Sequence, residues 1–210
     1  MTARHVVTWA VIGALSSAPA PIAAQASTYD SLLARARSHD PTLDFGALRH
    51  AYAHSNQYAP YDTRQGDAHR SVYESLDKGD YRRVLALVDS LLLTNFVDLE
   101  AHMAGTLAAQ ALRDSSRATF HRWVAEGLLR SIKESGLGTQ SRPFVVISVT
   151  EEYAFALLTG LRRHGAQGLG DCGGHPCDWV VFQDRRTGSD TTLFFDVSLP
   201  AAWYDRQIRR

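Results

Sequence analysis

Pro143–Leu158 reads PFVVISVTEEYAFALL, and whether it lies extended or coils decides the architecture. Val145, Ile147, Val149, Tyr153, Phe155 and Leu157 fall on odd positions, while Ser148, Thr150 and Glu152 fall on even ones. Successive side chains of a strand point to opposite faces, so the alternation predicts a half-buried strand over Val145–Leu157. A competing reading starts a helix at Thr150, with that Thr as cap and Glu151 and Glu152 in the first turn, where the positive helix end favours acids. Val, Ile and Tyr form strands more readily than helices, and the strand is preferred on that ground. On a strand, Glu151 would share the face of Val149 and Tyr153, which is the wrong face for an acid. A carboxylate turned toward a core must be paired, hydrogen-bonded or protonated. Its candidate partners are Arg49, Arg162, Arg163, His164 and His175.

Downstream the same two-residue rhythm continues. CDWVVFQD (Cys177–Asp184) and TTLFFDVS (Thr191–Ser198) flank Arg185–Asp190 with its Thr-Gly-Ser turn, which predicts a hairpin. Upstream the rhythm is helical. Ser27–Arg37 places Tyr29, Leu32, Leu33 and Ala36 on one face, with Ser27 and Asp30 in capping-box positions. A second helix starts at Asp40-Pro41 or at Asp44, carries Phe45, Leu48 and Tyr52, and stops near Ser55 before a loop over Tyr58–Asp62. Tyr81, Val84, Leu85, Val88, Leu91 and Leu92 form one continuous stripe. Asn95-Phe96-Val97-Asp98 interrupts it, and Leu99–Leu112 resumes as an Ala-rich helix containing Met103 and Leu107. A further helix carries Phe120, Trp123, Val124, Leu128 and Ile132, with Gly136 where a C-terminal cap belongs.

GDYRRVLALVDSLLLTNFVDLEAHMAGTLAAQAL (Gly79–Leu112) resembles a tetratricopeptide hairpin, although Phe120 and Trp123 fall out of step with a strict 34-residue period. The expected fold class is therefore α+β. Helical, degenerate tetratricopeptide-like hairpins over 27–140 pack on a small antiparallel sheet over 141–210 as one compact unit.

The first residues carry an address. Arg4 precedes the apolar run Val6–Leu15, and Ala24-Gln25-Ala26 has the small-x-small form of a signal-peptidase site. The run is shorter than the roughly 20 residues a membrane span needs. No Cys lies near the cleavage site to carry a lipid, and no Arg-Arg pair marks twin-arginine export. Residues 1–26 are thus expected to direct Sec export and be removed, leaving 184 of the 210 residues, periplasmic or extracellular and not lipid-anchored. Twenty-two Lys and Arg balance twenty-two Asp and Glu in the full chain, and losing Arg4 leaves a charge near −1. That balance argues against nucleic acid or an anionic membrane as partner.

Cys172 and Cys177 are the only cysteines, and in an exported chain a disulfide is the plain reading. So short a loop should contribute only about 2 kcal/mol. A zinc site on Cys172, His175 and Cys177 would need reduced thiols and a fourth ligand, so no metal and no cofactor is expected. His50 and His54 share a helical face, but Ala51, Tyr52 and Ala53 between them supply no catalytic acid, and a solvated face explains the pair. No nucleophile elbow, Walker loop or Rossmann fingerprint occurs.

DFGALRHAYAHSNQYAPY (Asp44–Tyr61), NFVDLEAH (Asn95–His102), SGLGTQSRPFVVISVTEEYAFALLTGL (Ser135–Leu161), CDWVVFQD and LFFDV (Leu193–Val197) together resemble an uncharacterised bacterial family, domain of unknown function 4919. The resemblance spans nearly the whole mature chain and implies export, with no activity attached. It implies a front motif of Asp44, Leu48, Arg49, Tyr52, Tyr58, Pro60 and Tyr61. The rear motifs would hold Ser135, Gly136, Gly138, Glu151, Glu152, Tyr153 and Asp178, with Leu137 departing from the polar residue expected in the Gly-rich turn. Buried Tyr hydroxyls need partners, which Arg49 or the acids Glu151 and Glu152 could supply. The front segment is expected to dock the helices onto the sheet.

Two functions follow as expectations. The first is a non-catalytic module of the cell envelope that binds a protein or peptide partner in a helical groove or serves a structural, assembly role, which the sequence does not separate from binding. Its candidate binding residues are Arg49, Tyr52, Tyr58, Tyr61, Glu152 and Tyr153. The second is a hydrolase or metal-dependent enzyme at the helix–sheet junction, with Glu151, His175 and Asp178 as candidate catalytic groups.

Overall fold

The computed structural model describes residues 22–209, with side chains from Thr28 onward. The expected export segment lies outside the described residues over 1–21, and the backbone of 22–26 belongs to the first helix, α1 (Ile22–Arg37). The order continues α2 (Phe45–Ala53), α3 (Thr63–Asp77), α4 (Tyr81–Thr94), α5 (Leu99–Ala111), α6 (Ser115–Ser135), β1 (Phe144–Val145) and α7 (Val149–Leu158). Then come β2 (Leu161–Asp171), β3 (Pro176–Asp184), β4 (Asp190–Asp196) and α8 (Ser198–Ile208).

Aspartates open most of the helices. Asp44, Asp62, Asp80, Asp98 and Asp114 each accept a backbone N–H from the first turn of the helix they precede, satisfying donors that the helix itself leaves unpaired. The predicted stripe of α4 is buried at Val84, Leu85, Val88 and Leu91, and packs with Ala101, Ala104 and Ala108 of α5. Two glycines mark where elements touch most closely. A Cβ at Gly105 would meet the His121 ring at 2.9 Å, and one at Gly127 would meet the Phe45 ring at 2.2 Å. The latter gap lets α2 lie against α6, with Phe45 edge-on to Trp123 at 5.0 Å.

The expected α+β class holds, but the sheet is mixed rather than antiparallel. Its order is β1-β4-β3-β2, and β1 runs parallel to β4, with Phe144 opposite Phe195. The β3–β4 hairpin forms as predicted, with Val180 opposite Leu193. A disulfide joins Cys172 to Cys177 across the β2–β3 turn, with the Cα atoms 5.8 Å apart. The main core lies between this sheet and helices α1, α2, α6 and α7; a second core fills α3 to α6.

The strand predicted over Val145–Leu157 is overturned. Only Phe144–Val145 is extended, and Val149–Leu158 is helical. The cap is Ser148, whose side chain accepts from the Glu151 N–H, not Thr150 as the competing reading had it. Glu151 and Glu152 occupy the first turn, next to the positive helix end. Burial explains the misreading. Glu151, Glu152, Ala154, Phe155 and Ala156 are all buried, so the helix is covered on most sides and its apolar residues show no helical stripe. Three further elements went unpredicted. In α3 only Val72 and Ser75 are buried, β2 is exposed along almost its whole length, and α8 buries only Pro200.

Candidate functional site

The front segment meets the rear motif through one buried ion pair. Arg49 and Glu151 are 102 residues apart and almost wholly shielded from solvent. Arg49 Nε donates to Glu151 Oε1 at 3.0 Å, and the adjacent guanidinium nitrogen donates to Oε2 at 2.7 Å, a two-pronged contact suited to a planar guanidinium. The same group reaches the Val145 carbonyl at 2.9 Å and the Ser131 hydroxyl at 3.2 Å. Glu151 also accepts the Ile147 N–H at 2.9 Å, and the Tyr58 hydroxyl donates to the Ile147 carbonyl at 2.7 Å. α2, α6, β1 and α7 therefore share one polar hub. Glu151 faces the core, as expected, but by way of a helix turn. Both of its oxygens already accept from Arg49, which holds it as a structural anion rather than a free base for a substrate proton.

Beside the hub lies a cleft of about 230 Å³. Tyr52, Tyr58, Pro60 and Tyr61 form one wall, and Ile147, Ser148 and Thr150 another. His69, Asn95, Asp98 and Glu100 close the third side. His69 Nε2 donates to Asp98 Oδ2 at 2.8 Å, and His69 Nδ1 stands 3.6 Å from Glu100. Burial pulls the imidazole pKa down, but the Asp98 hydrogen bond and the two carboxylate charges raise it overall above the ordinary value. Burial raises the Glu100 carboxyl, opposed by His69. Asp98 also caps α5 through Ala101 N–H, so this acid is spoken for twice. Burial lifts Tyr52 and Tyr58 above the usual phenol range, and they are neutral donors at any physiological pH.

A second acid pair lies outside the cleft. Glu152 on α7 and Asp178 on β3 act on each other, and Glu152 is pushed up to about 9 by burial first and by the Asp178 carboxyl second. Burial raises Asp178 as well. Glu152 Oε1 and Asp178 Oδ1 are buried, and neither accepts a hydrogen bond from another group. At neutral pH the two carboxyls therefore share a proton.

Of the residues expected from sequence, Tyr52, Tyr58, Tyr61 and Glu151 line the cleft. Arg49 sits beneath it in the hub, and Glu152 pairs with Asp178 instead. Tyr153 leaves the site: its hydroxyl donates to Gln167 on β2 at 2.8 Å. His175 is exposed in the disulfide loop and does not line the cleft. His50 and His54 are exposed, as expected for a solvated face. His69, Asp98 and Glu100 were not singled out from sequence; the stretch NFVDLEAH held two of them, but no local pattern ties it to His69 on another helix. Among the described residues no group of three or more His, Cys, Asp or Glu is placed to hold a metal ion.

Fold and site define an α+β protein with an internal ionic hub and an adjoining aromatic cleft. The chain belongs to the family described as Domain of unknown function (DUF4919), which it matches over residues 19–206, as its motifs indicated. No curated protein and no solved structure matches it. Among the described residues no helix is long and apolar enough to cross a membrane, which, with the disulfide, is compatible with export.

Proposed function

We propose that the protein is an exported, non-catalytic module that holds a peptide or protein partner of the cell envelope in the tyrosine-lined cleft. One observation carries this reading. Stretches distant in sequence, Tyr52–Tyr61, Asn95–Glu100 and Ile147–Glu151, all contribute to one cleft, while Glu151, His69 and Asp98 there are already bonded to protein. Glu151 is held by Arg49, and both His69 nitrogens face carboxylates. What the cleft offers a partner is tyrosine rings, Pro60, Thr150 and the polar side chains of Asn95 and Glu100. Such amphipathic rings supply contact area at low ordering cost. The rival hydrolase reading around Glu151 and His175 gains no such support, because Glu151 is committed to Arg49.

Panning a displayed peptide library against the purified protein tests the proposal. Enriched peptides should share a motif and lose at least about tenfold in affinity against Tyr61→Ala, the scale of a binding hot spot. Tyr61 is 45% exposed, so the folded state should survive that change. Absence of enrichment over a control surface would refute the reading. So would peptides that bind equally well to Tyr61→Ala and to the cleft-blocking Thr150→Arg.

A further inference from the structure

A second groove, of about 570 Å³, runs across the helical face, away from the cleft. Its floor is His121, which is 4% exposed. The protonation of that ring is dictated from inside the protein. The Phe96 carbonyl can only accept, and His102 Nε2 stands 2.9 Å from it, so His102 carries its proton on Nε2. His102 Nδ1 is then an acceptor, and it lies 3.0 Å from His121 Nδ1, which must donate. Neutral His121 is left with a bare lone pair on Nε2. Burial holds both rings neutral, with His102 down at about 3 and His121 lowered as well. The ring cannot turn away, because it is packed against the Cα of Gly105, where even a methyl would clash. Nδ1 is turned inward and the residue lines the groove, which puts Nε2 on the groove side.

The rim is cationic and aromatic. Arg117 donates to Asp89 at 2.6 Å, so their charges offset, whereas exposed Arg37 has no acidic partner among the described residues. Phe96, Phe120 and Leu92 supply apolar wall. A lone-pair acceptor beside surplus positive charge and an apolar wall suits a ligand with one N–H donor, one carboxylate and one apolar side chain. We infer that this groove binds the carboxyl-terminal residue of an N-acylated amino acid or peptide: its carboxylate on Arg37, its N–H donating to His121 Nε2, and its side chain against Phe96 and Phe120. The geometry is independent of the tyrosine cleft and stands whether or not that cleft binds anything.

Two-bond 1H–15N spectra of histidine-labelled protein test this directly, because they read the tautomer of each ring. His102 should show Nε2–H and His121 Nδ1–H. Titrating N-acetyl-leucine should move the His121 Nε2 resonance upfield, toward the hydrogen-bonded position, and leave His102 in its tautomer. N-acetyl-leucinamide, which lacks the carboxylate, should not. Arg37→Gln, an exposed change that spares the fold, should weaken the response about tenfold or more. A short peptide ending in leucine binding more tightly than N-acetyl-leucine would identify a chain end as the ligand; equal affinities would identify the free acyl amino acid. An unmoved His121 Nε2 at millimolar ligand, equal response to the amide, or His121 carrying its proton on Nε2 would each overturn the inference.

Discussion

Replacing Glu152 by glutamine should make the protein more stable, and increasingly so as the pH rises. The folded state holds the Glu152 proton up to about 9, whereas an unfolded chain releases it near 4.5. Between those values the folded protein binds more protons than the unfolded one, so its stability falls as pH increases. Each pH unit in that window costs about 1.4 kcal/mol. At pH 7, roughly 2.5 units above the unfolded value, the penalty reaches about 3 kcal/mol, an order-of-magnitude figure because Asp178 titrates with its partner. The amide introduced by Glu152→Gln has no ionisable proton, and it could donate to Asp178 in the position the shared proton occupies now. Urea unfolding of both proteins at pH 5, 7 and 9 measures the gap, which should be below about 1 kcal/mol at pH 5 and widen toward pH 9. Parallel pH profiles, or a variant less stable than wild type at every pH, would refute the shared-proton reading.

Other perturbations probe the hub and the close contacts. Arg49→Met strands the Glu151 carboxylate inside the protein and should cost about 3–5 kcal/mol in urea unfolding, and Arg49→Lys should recover little, because an ammonium cannot serve Glu151 and Val145 at once. Gly127→Ala drives a methyl into the Phe45 ring, which stands 2.2 Å from the new carbon, and should lower stability by about 1–3 kcal/mol without altering the pH profile. His102 and His121 are held neutral in the fold but charge when unfolded. In the Glu152→Gln background, where the opposing carboxyl slope is removed, stability should therefore fall as pH drops below about 6.5, by up to about 1.4 kcal/mol per pH unit for His102 alone; a flat profile of that variant between pH 6.5 and 5 would contradict the neutral pairing.

The site shows how far local reading reaches. Arg49, Tyr52, Tyr58, Tyr61 and Glu151 were legible because a basic residue and aromatics crowd one short stretch, and because an acid sits in an apolar run. That they meet was not legible, since the ion pair closes a loop of 102 residues. His69 escaped notice because nothing next to it in sequence marks it; its partners Asp98 and Glu100 arrive from another helix. His102 and His121 read as scattered histidines until Gly105 and the Phe96 carbonyl set their orientation.

Sequence by itself determined the elements whose pattern is written locally: the α4 stripe, the β3–β4 hairpin, the cysteine pair and the family. Tertiary structure decided the rest. Val149–Leu158 coils because its end is capped by Ser148 and because surrounding elements bury it on most sides, which removes the periodicity that marks a half-buried helix. β1 joins β4 in parallel, a pairing between residues 51 apart in the chain that no alternation can announce. Local rhythm records which faces meet water; it is silent where a segment meets none, and silent about which distant charge will neutralise a buried one.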